Sequence, residues 1–401
     1  MSRNIRKWIV FAVLCLAYMP GAYAQYQLSV FAPELMVRFN LSTSQFSSIF
    51  TSPMIIAVLL SFVGGMISDR FGPKKVVAVA FGISCIGLVG RVFAVSYTAF
   101  FLCMVLVGAS QTAVNANASK LTGSWFPATL ISLLMGAFTL SGQLASTLAT
   151  ATSAAWFASM HSAYVASAIF GAVVLALWLI FVKDRPDVGN NSAEPSAENV
   201  AILDCLRVVL CNRGVWMIAI CIMMDLGCTV TLASFLPTAL QQMYGIELTS
   251  AGTIASMLTL GNCVGAIAGP MAFKRVGSAK RFVPSTAALS FVGVLLCWRF
   301  ASIPVLYGLI LLTGMALGAA MPIFFSAPIL LDGIGTKYAG SAAGVIATLQ
   351  MLGAIVIPTY ILAPVAGENY RLMFTMTSAC MAIMFVFGLF IPEWKTGNDG
   401  N

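Results

Sequence analysis

Charge is what this sequence has least of. Only 8% of its 401 residues are charged and 60% are hydrophobic, where a soluble domain carries about a quarter charged residues. Such a chain cannot hydrate a soluble surface, so hydrocarbon must cover most of it. Histidine is almost missing: His161 stands alone, in an expected short connection, and one imidazole cannot build a metal centre. The ten cysteines include no Cys-x-x-Cys pair. Cys15, Cys85, Cys103, Cys221, Cys228, Cys263, Cys297 and Cys380 all fall inside apolar runs, which reads as small apolar packing rather than a disulfide framework or a zinc site. There is no phosphate-cradling Gly-rich loop with its Lys and no nucleophile–base set. The sequence therefore argues against an enzyme, a bound metal or cofactor, and direct drive by ATP.

What is present is a succession of apolar runs near the roughly 20 residues a bilayer span needs. Twelve spans are expected, over residues 8–37, 45–68, 76–95, 98–120, 129–154, 161–182, 214–243, 248–272, 282–300, 303–329, 338–363 and 369–391. The connection over 183–213 is long, polar and rich in Pro, Asn and Ser, and reads as a linker between bundles 1–182 and 214–401. Arg3, Arg6 and Lys7, an apolar stretch and Ala22-Tyr23-Ala24 imitate a cleaved signal peptide. The apolar character continues past Ala24, so an uncleaved first helix is expected. With the N-terminus inside, all but four of the 21 Lys and Arg fall on the inner side, the exceptions being Arg38, Arg91, Arg299 and Arg371. That bias places both termini in the cytoplasm. It also accounts for the net charge of +8 as topology rather than nucleic-acid binding. Arg91, near the outer end of span 3, is expected to snorkel to the interface, as is Lys120 at the inner end of span 4.

An internal repeat joins the halves. GGMISDRFGPKK (64–75) aligns with GPMAFKRVGSAKR (269–281), so that a shift of 205 residues carries Gly64, Arg70, Gly72 and Lys75 onto Gly269, Arg275, Gly277 and Lys280. The stretch Gly65, Asp69, Arg70, Gly72, Lys74, Lys75 resembles the loop signature of the major facilitator superfamily. The resemblance covers essentially the whole chain. It implies an all-α membrane protein of twelve helices in two pseudo-symmetric six-helix bundles, working as a secondary active transporter by alternating access. It also implies a cytoplasmic gate made of these loop residues with Arg275. Asp69 would form charge-assisted hydrogen bonds in one conformation and release them in the other. Lys274 stands where the second copy would need that carboxylate, so the latch is expected in the first half alone.

Departures from the family pattern narrow the reading. Many members carry Arg in span 4, four residues before a Gly; counting back from Gly108, this chain has Met104. Ile131 stands where relatives often have Arg, and GAFTLSGQLAST lacks the Pro of twelve-span drug antiporters. NLSTSQFSSIF, SWFP and KYAGSAAGV are similar to the branches that carry small anions, the nitrate/nitrite porters and oxalate/formate antiporters. Those branches bind anions through Arg or Lys in spans 2, 8 or 11, and here those spans contain none.

In this superfamily spans 1, 4, 7 and 10 line the path, which singles out faces at helical spacing. Span 1 offers Tyr18, Gly21, Gln25 and Gln27; span 4 offers Gly108, Gln111, Asn115 and Ser119. Span 7 offers Cys221, Asp225 and Thr229; span 10 offers Tyr307, Gly314, Met321 and Phe325. Each polar group has two readings, substrate contact or interhelical hydrogen bonding. Asp225 lies twelve residues beyond Arg213, about 18 Å along the helix, near the middle of a core about 30 Å thick. An acid there either couples transport to protons, pairs with a cationic substrate, or is a structural group. Gly261, Gly265 and Gly269 in span 8, and Gly340 and Gly344 in span 11, are expected to be close-packing surfaces. The sequence thus points to a monomeric, proton-coupled carrier of a small organic acid in the cell membrane. Export of an amphipathic compound, and a transporter-like sensor, are the alternatives.

Overall fold

In a computed structural model, residues 3–59, 68, 71–182, 202–300, 302–331 and 333–393 are described. Every regular element among them is a helix. The first half contains α1 (Arg3–Val30), α2 (Ala32–Phe39), α3 (Thr43–Thr51), α4 (Pro73–Phe93), α5 (Tyr97–Trp125), α6 (Ala128–Trp156) and α7 (Met160–Phe181). The second contains α8 (Ile202–Cys211), α9 (Arg213–Tyr244), α10 (Leu248–Val276), α11 (Ala279–Leu296) and α12 (Ile303–Leu330). It ends with α13 (Gly335–Val356), a π-helical turn (Ile357–Leu362), α14 (Ala363–Ala366) and α15 (Tyr370–Leu389). Among the described residues, ten helices are long and apolar enough to cross a bilayer. α6 also has the length, at 29 residues, and the expected second span falls partly outside the described residues.

Prolines set where the helices depart from the expected spans. Span 1 ends at Val30 because Pro33 has no N–H to give Ser29, and the chain turns at Phe31 before α2. Pro53 does the same after α3, where Ser52 bonds back to Ile49 in a tighter turn. The start of α3 is fixed by a capping box between Ser42 and Gln45. Pro358 cannot donate to Ala354, and the ladder widens there into the π-helical turn. The linker differs from its expected form as well: its last ten residues before Asn212 are helical, as α8.

α4 shows why bilayer is the solvent. One face, Val77, Phe81 and Leu88, is buried in the protein; the opposite face, Val79, Ile86 and Phe93, is exposed and equally apolar. A helix apolar all round, with half its surface outward, requires hydrocarbon on that side.

The chain divides into two compact units, Met1–Gly189 with Ser234–Ser256, and Asn190–Ala233 with Met257–Asn401. In unit 1 a core of Leu14, Phe81, Val114, Phe138 and Trp178 joins α1, α4, α5, α6 and α7, and Trp178 Nε1 donates to the Lys74 carbonyl at 3.2 Å. The end of α9 and the start of α10 belong to this unit: the Phe46 and Phe235 rings lie 5.8 Å apart, and Gly252 faces the Thr150 carbonyl. In unit 2, α10 and α12 meet backbone to backbone. Gly261, Gly265 and Gly269 lie on the carbonyls of Leu311, Met315 and Ala319, while Gly314 and Gly318 lie on those of Leu258 and Asn262. The expected packing role of the span 8 glycines is therefore met. Gly344 differs: a Cβ there would enter open space, and the close contact of α13 is made instead by Gly353 on Met223.

The repeat extends from sequence into packing. Gly108 rests on the Pro53 carbonyl in unit 1 and Gly314 on the Leu258 carbonyl in unit 2, positions related by shifts of 205 and 206 residues. Gly87 against Val107 and Gly293 against Thr313 repeat with a shift of 206. Gly72, just before α4, and Gly277, just after α10, stand at aligned turns with φ of 83° and 70°, values at which a Cβ is strained.

Candidate functional site

The expected path-lining residues separate into those whose polar groups are satisfied within the protein and those that are not. In α1, Gln25 is buried and its Nε2 donates to the Phe50 carbonyl at 2.9 Å. Gln27 is buried and donates to the Ala163 carbonyl at 3.1 Å, while its Oε1 accepts from Arg91 at 2.9 Å. In this arrangement both side chains hold helices together. Gly108 and Gly314 are likewise taken up by backbone contacts.

Three others remain open. Tyr18 lays its ring on Phe138, 5.1 Å between centroids, and across Gly142 of α6; its hydroxyl makes no hydrogen bond among the described residues. Gln111 of α5 lies flat against Gly21 of α1, where a Cβ would sit 2.5 Å from its Cγ and 2.9 Å from its Cδ. Its amide is half-buried and has no partner among the described residues. Asn115, one turn on, is exposed and also unbonded among them. These three belong to unit 1 and to two adjoining helices. An amide presents both a donor and an acceptor, which suits hydroxyl and carboxylate groups alike.

Arg91 overturns the snorkelling expectation. It is 2% exposed. Its Nη1 donates to the Ala24 carbonyl at 2.9 Å and approaches Met104 Sδ at 3.8 Å, and its Nη2 donates to Gln27 and to Ser167 Oγ. The guanidinium carbon sits 4.5 Å from the centre of the Tyr164 ring. One side chain of α4 thus ties α1, α5 and α7 together through neutral groups alone. Met104 occupies the position where the family resemblance leads one to expect Arg, and the cation beside it comes from the neighbouring helix.

In unit 2, Asp225 is 1% exposed, and neither carboxylate oxygen has a hydrogen-bond partner among the described residues. It lies within electrostatic reach of Cys221 and Cys228, and Cys228 in turn of Cys297, just past the end of α11, and Cys380 on α15. Cys221 Sγ donates to the Met384 carbonyl of α15 at 3.7 Å. Thr229 Oγ1, one turn on, is also buried without a partner. The acid therefore faces the helix packing of its own unit. In α12, Tyr307 is half-buried and Phe325 is 60% exposed.

Of the expected cytoplasmic gate, Gly65, Asp69 and Arg70 lie outside the described residues. Gly72 begins α4 with its positive φ, Lys74 offers its carbonyl to Trp178, and Lys75 and Arg275 are exposed. Among the described residues no group of three or more His, Cys, Asp and Glu is placed to hold a metal ion.

Comparison with known proteins fits this architecture. The hexuronate transporter of Bacillus subtilis is 28% identical over 167 residues, 40% of this chain and 38% of that one. That of Escherichia coli K12 is 26% identical over 289 residues, 67% of this chain and 66% of that one. The chain thus spans less than two thirds of either. A probable sulfoacetate transporter of Cupriavidus necator is 23% identical over 99% of this chain and 96% of its own. Among solved structures, a bacterial homolog of the human lysosomal transporter Spinster superposes with a TM-score of 0.80 at 14% identity, covering 98% of each chain. The family model of the Major Facilitator Superfamily, a family of membrane transporters and not of enzymes, matches residues 14–358. The chain belongs to the Major Facilitator Superfamily.

Proposed function

We propose that this protein is a secondary transporter that moves a small organic acid across the cell membrane by alternating access, with proton movement coupled through Asp225. The observation that carries the reading is the shared chemistry of its relatives, named for hexuronate and sulfoacetate, which are all small organic acids. Two features of the site support it. The unbonded groups of Tyr18, Gln111 and Asn115 suit a compact polar solute. Arg91, with no acid among its hydrogen-bond partners, leaves the interior of unit 1 electropositive, which favours an anion. Asp225 is the one deeply buried acid described, and an unbonded carboxyl can gain or lose a proton without breaking a protein contact. Both termini are taken as cytoplasmic, the working chain as a monomer, and 1–182 and 214–401 as the two bundles.

Reconstitution into proteoliposomes tests the reading. Galacturonate or sulfoacetate should accumulate under an imposed inward proton gradient and stop accumulating when the gradient is collapsed. Asp225→Asn should abolish that accumulation while preserving exchange of labelled for unlabelled acid. Accumulation indifferent to the gradient would remove the coupling; no movement of any small acid would remove the substrate class.

A further inference from the structure

Gly21 and Gln111 are in close contact. At Gly108, Gly261 and Gly265 the close glycine contact sets backbone against backbone. At Gly21 the neighbour is a polar side chain, whose Cγ, Cδ and Nε2 would lie 2.5, 2.9 and 3.1 Å from an added Cβ. The bare backbone of α1 forms a flat seat on which the Gln111 chain lies, and that seat decides where the amide ends. The amide itself has no partner among the described residues, so no hydrogen bond fixes its direction. A half-buried amide held in place by shape and left unbonded is suited to a solute that supplies the missing partner.

We infer that Gly21 is a positioning residue for Gln111, and that Gln111, with Asn115 and the Tyr18 hydroxyl, reads the hydroxyl groups of a hydroxylated acid. This rests on the small-acid reading above. Tyr18 is itself located by a missing Cβ: a side chain at Gly142 would collide with its ring. Two glycines on neighbouring helices thus set two unbonded polar groups on one side of unit 1. A side chain at Gly21 presses on Gln111 at Cγ and Cδ rather than on backbone, so Gln111 must change rotamer and its amide moves with it. A recognition site for hydroxyls discriminates strongly against an acid without them, because its own polar groups are then left unpaired.

The test uses the full chain in proteoliposomes with two probes: galacturonate, a hexuronate rich in hydroxyls, and sulfoacetate, which has none. Gly21→Ala should raise KM for galacturonate at least tenfold more than KM for sulfoacetate, the effect falling on KM rather than kcat. Gln111→Ala should do the same, and the double variant should be no worse than Gln111→Ala alone, since both changes remove one interaction. Equal losses on both acids, or losses that multiply in the double variant, overturn the positioning role. Uptake of sulfoacetate but not galacturonate by the unsubstituted chain overturns this inference and leaves the small-acid reading standing. Uptake of neither overturns both.

Discussion

Among the described residues each unit buries one side chain of the Asp, Glu, Lys and Arg class, and the two are treated in opposite ways. Arg91 in unit 1 is held by a backbone carbonyl, an amide, a hydroxyl and a ring face. Asp225 in unit 2 is buried as deeply, and neither of its oxygens is bonded among the described residues. A buried charge is tolerated when hydrogen bonds replace its water, and it is costly otherwise. The cation is therefore pinned by its neighbours, and the acid has no such hold among the described residues. The repeat sharpens the contrast: a shift of 206 residues carries Arg91 onto Cys297, so the second unit has a thiol where the first has its pin.

The largest effect should come from pulling the pin. Arg91→Met removes three hydrogen bonds from a charged donor, each worth about 1.5–3 kcal/mol. It should lower the melting temperature in detergent more than Gly265→Val, Asp225→Asn or Gly344→Ala. Adding Met104→Arg should recover part of the loss if a cation at that point matters more than the helix it comes from; no recovery would tie the role to α4. Next is Gly265→Val, which drives a side chain into the Met315 carbonyl and should cost about 1–3 kcal/mol in the same melt. Asp225→Asn should change the melting free energy by less than about 1 kcal/mol, since no hydrogen bond is lost. A large destabilisation would show that the acid is a pin too, and the contrast between the units would fail. The smallest effect belongs to Gly344→Ala, which meets open space and should gain about 0.5 kcal/mol from helix propensity.

Much of the fold is legible in the sequence, because bilayer physics leaves a strong trace. Apolar length locates most spans, and prolines at 33, 53 and 358 carry the breaks inside the expected ones. The aligned glycines at 72 and 277 mark the repeated turn. What hydropathy cannot give is direction. Gln25, Gln27, Gln111 and Asn115 are equivalent as amides in a sequence, yet two reach carbonyls on neighbouring helices and two reach none. Arg91 escapes a sequence reading for the same reason: its depth looks interfacial, while its acceptors come from residues 24, 27 and 167, which only folding brings together. The missing Arg at position 104 is the available signal, since a cation absent from one helix invites a search of its neighbours.

The carbonyl-on-glycine contacts that recur in both units bear on how far such a chain can diverge. Where helices touch through main chain, their spacing does not depend on side-chain volume, and most outward positions are free to drift so long as they stay oily. A chain built this way can exchange six residues in seven and keep its shape, as the 14% identity and 0.80 TM-score of the Spinster homolog illustrate.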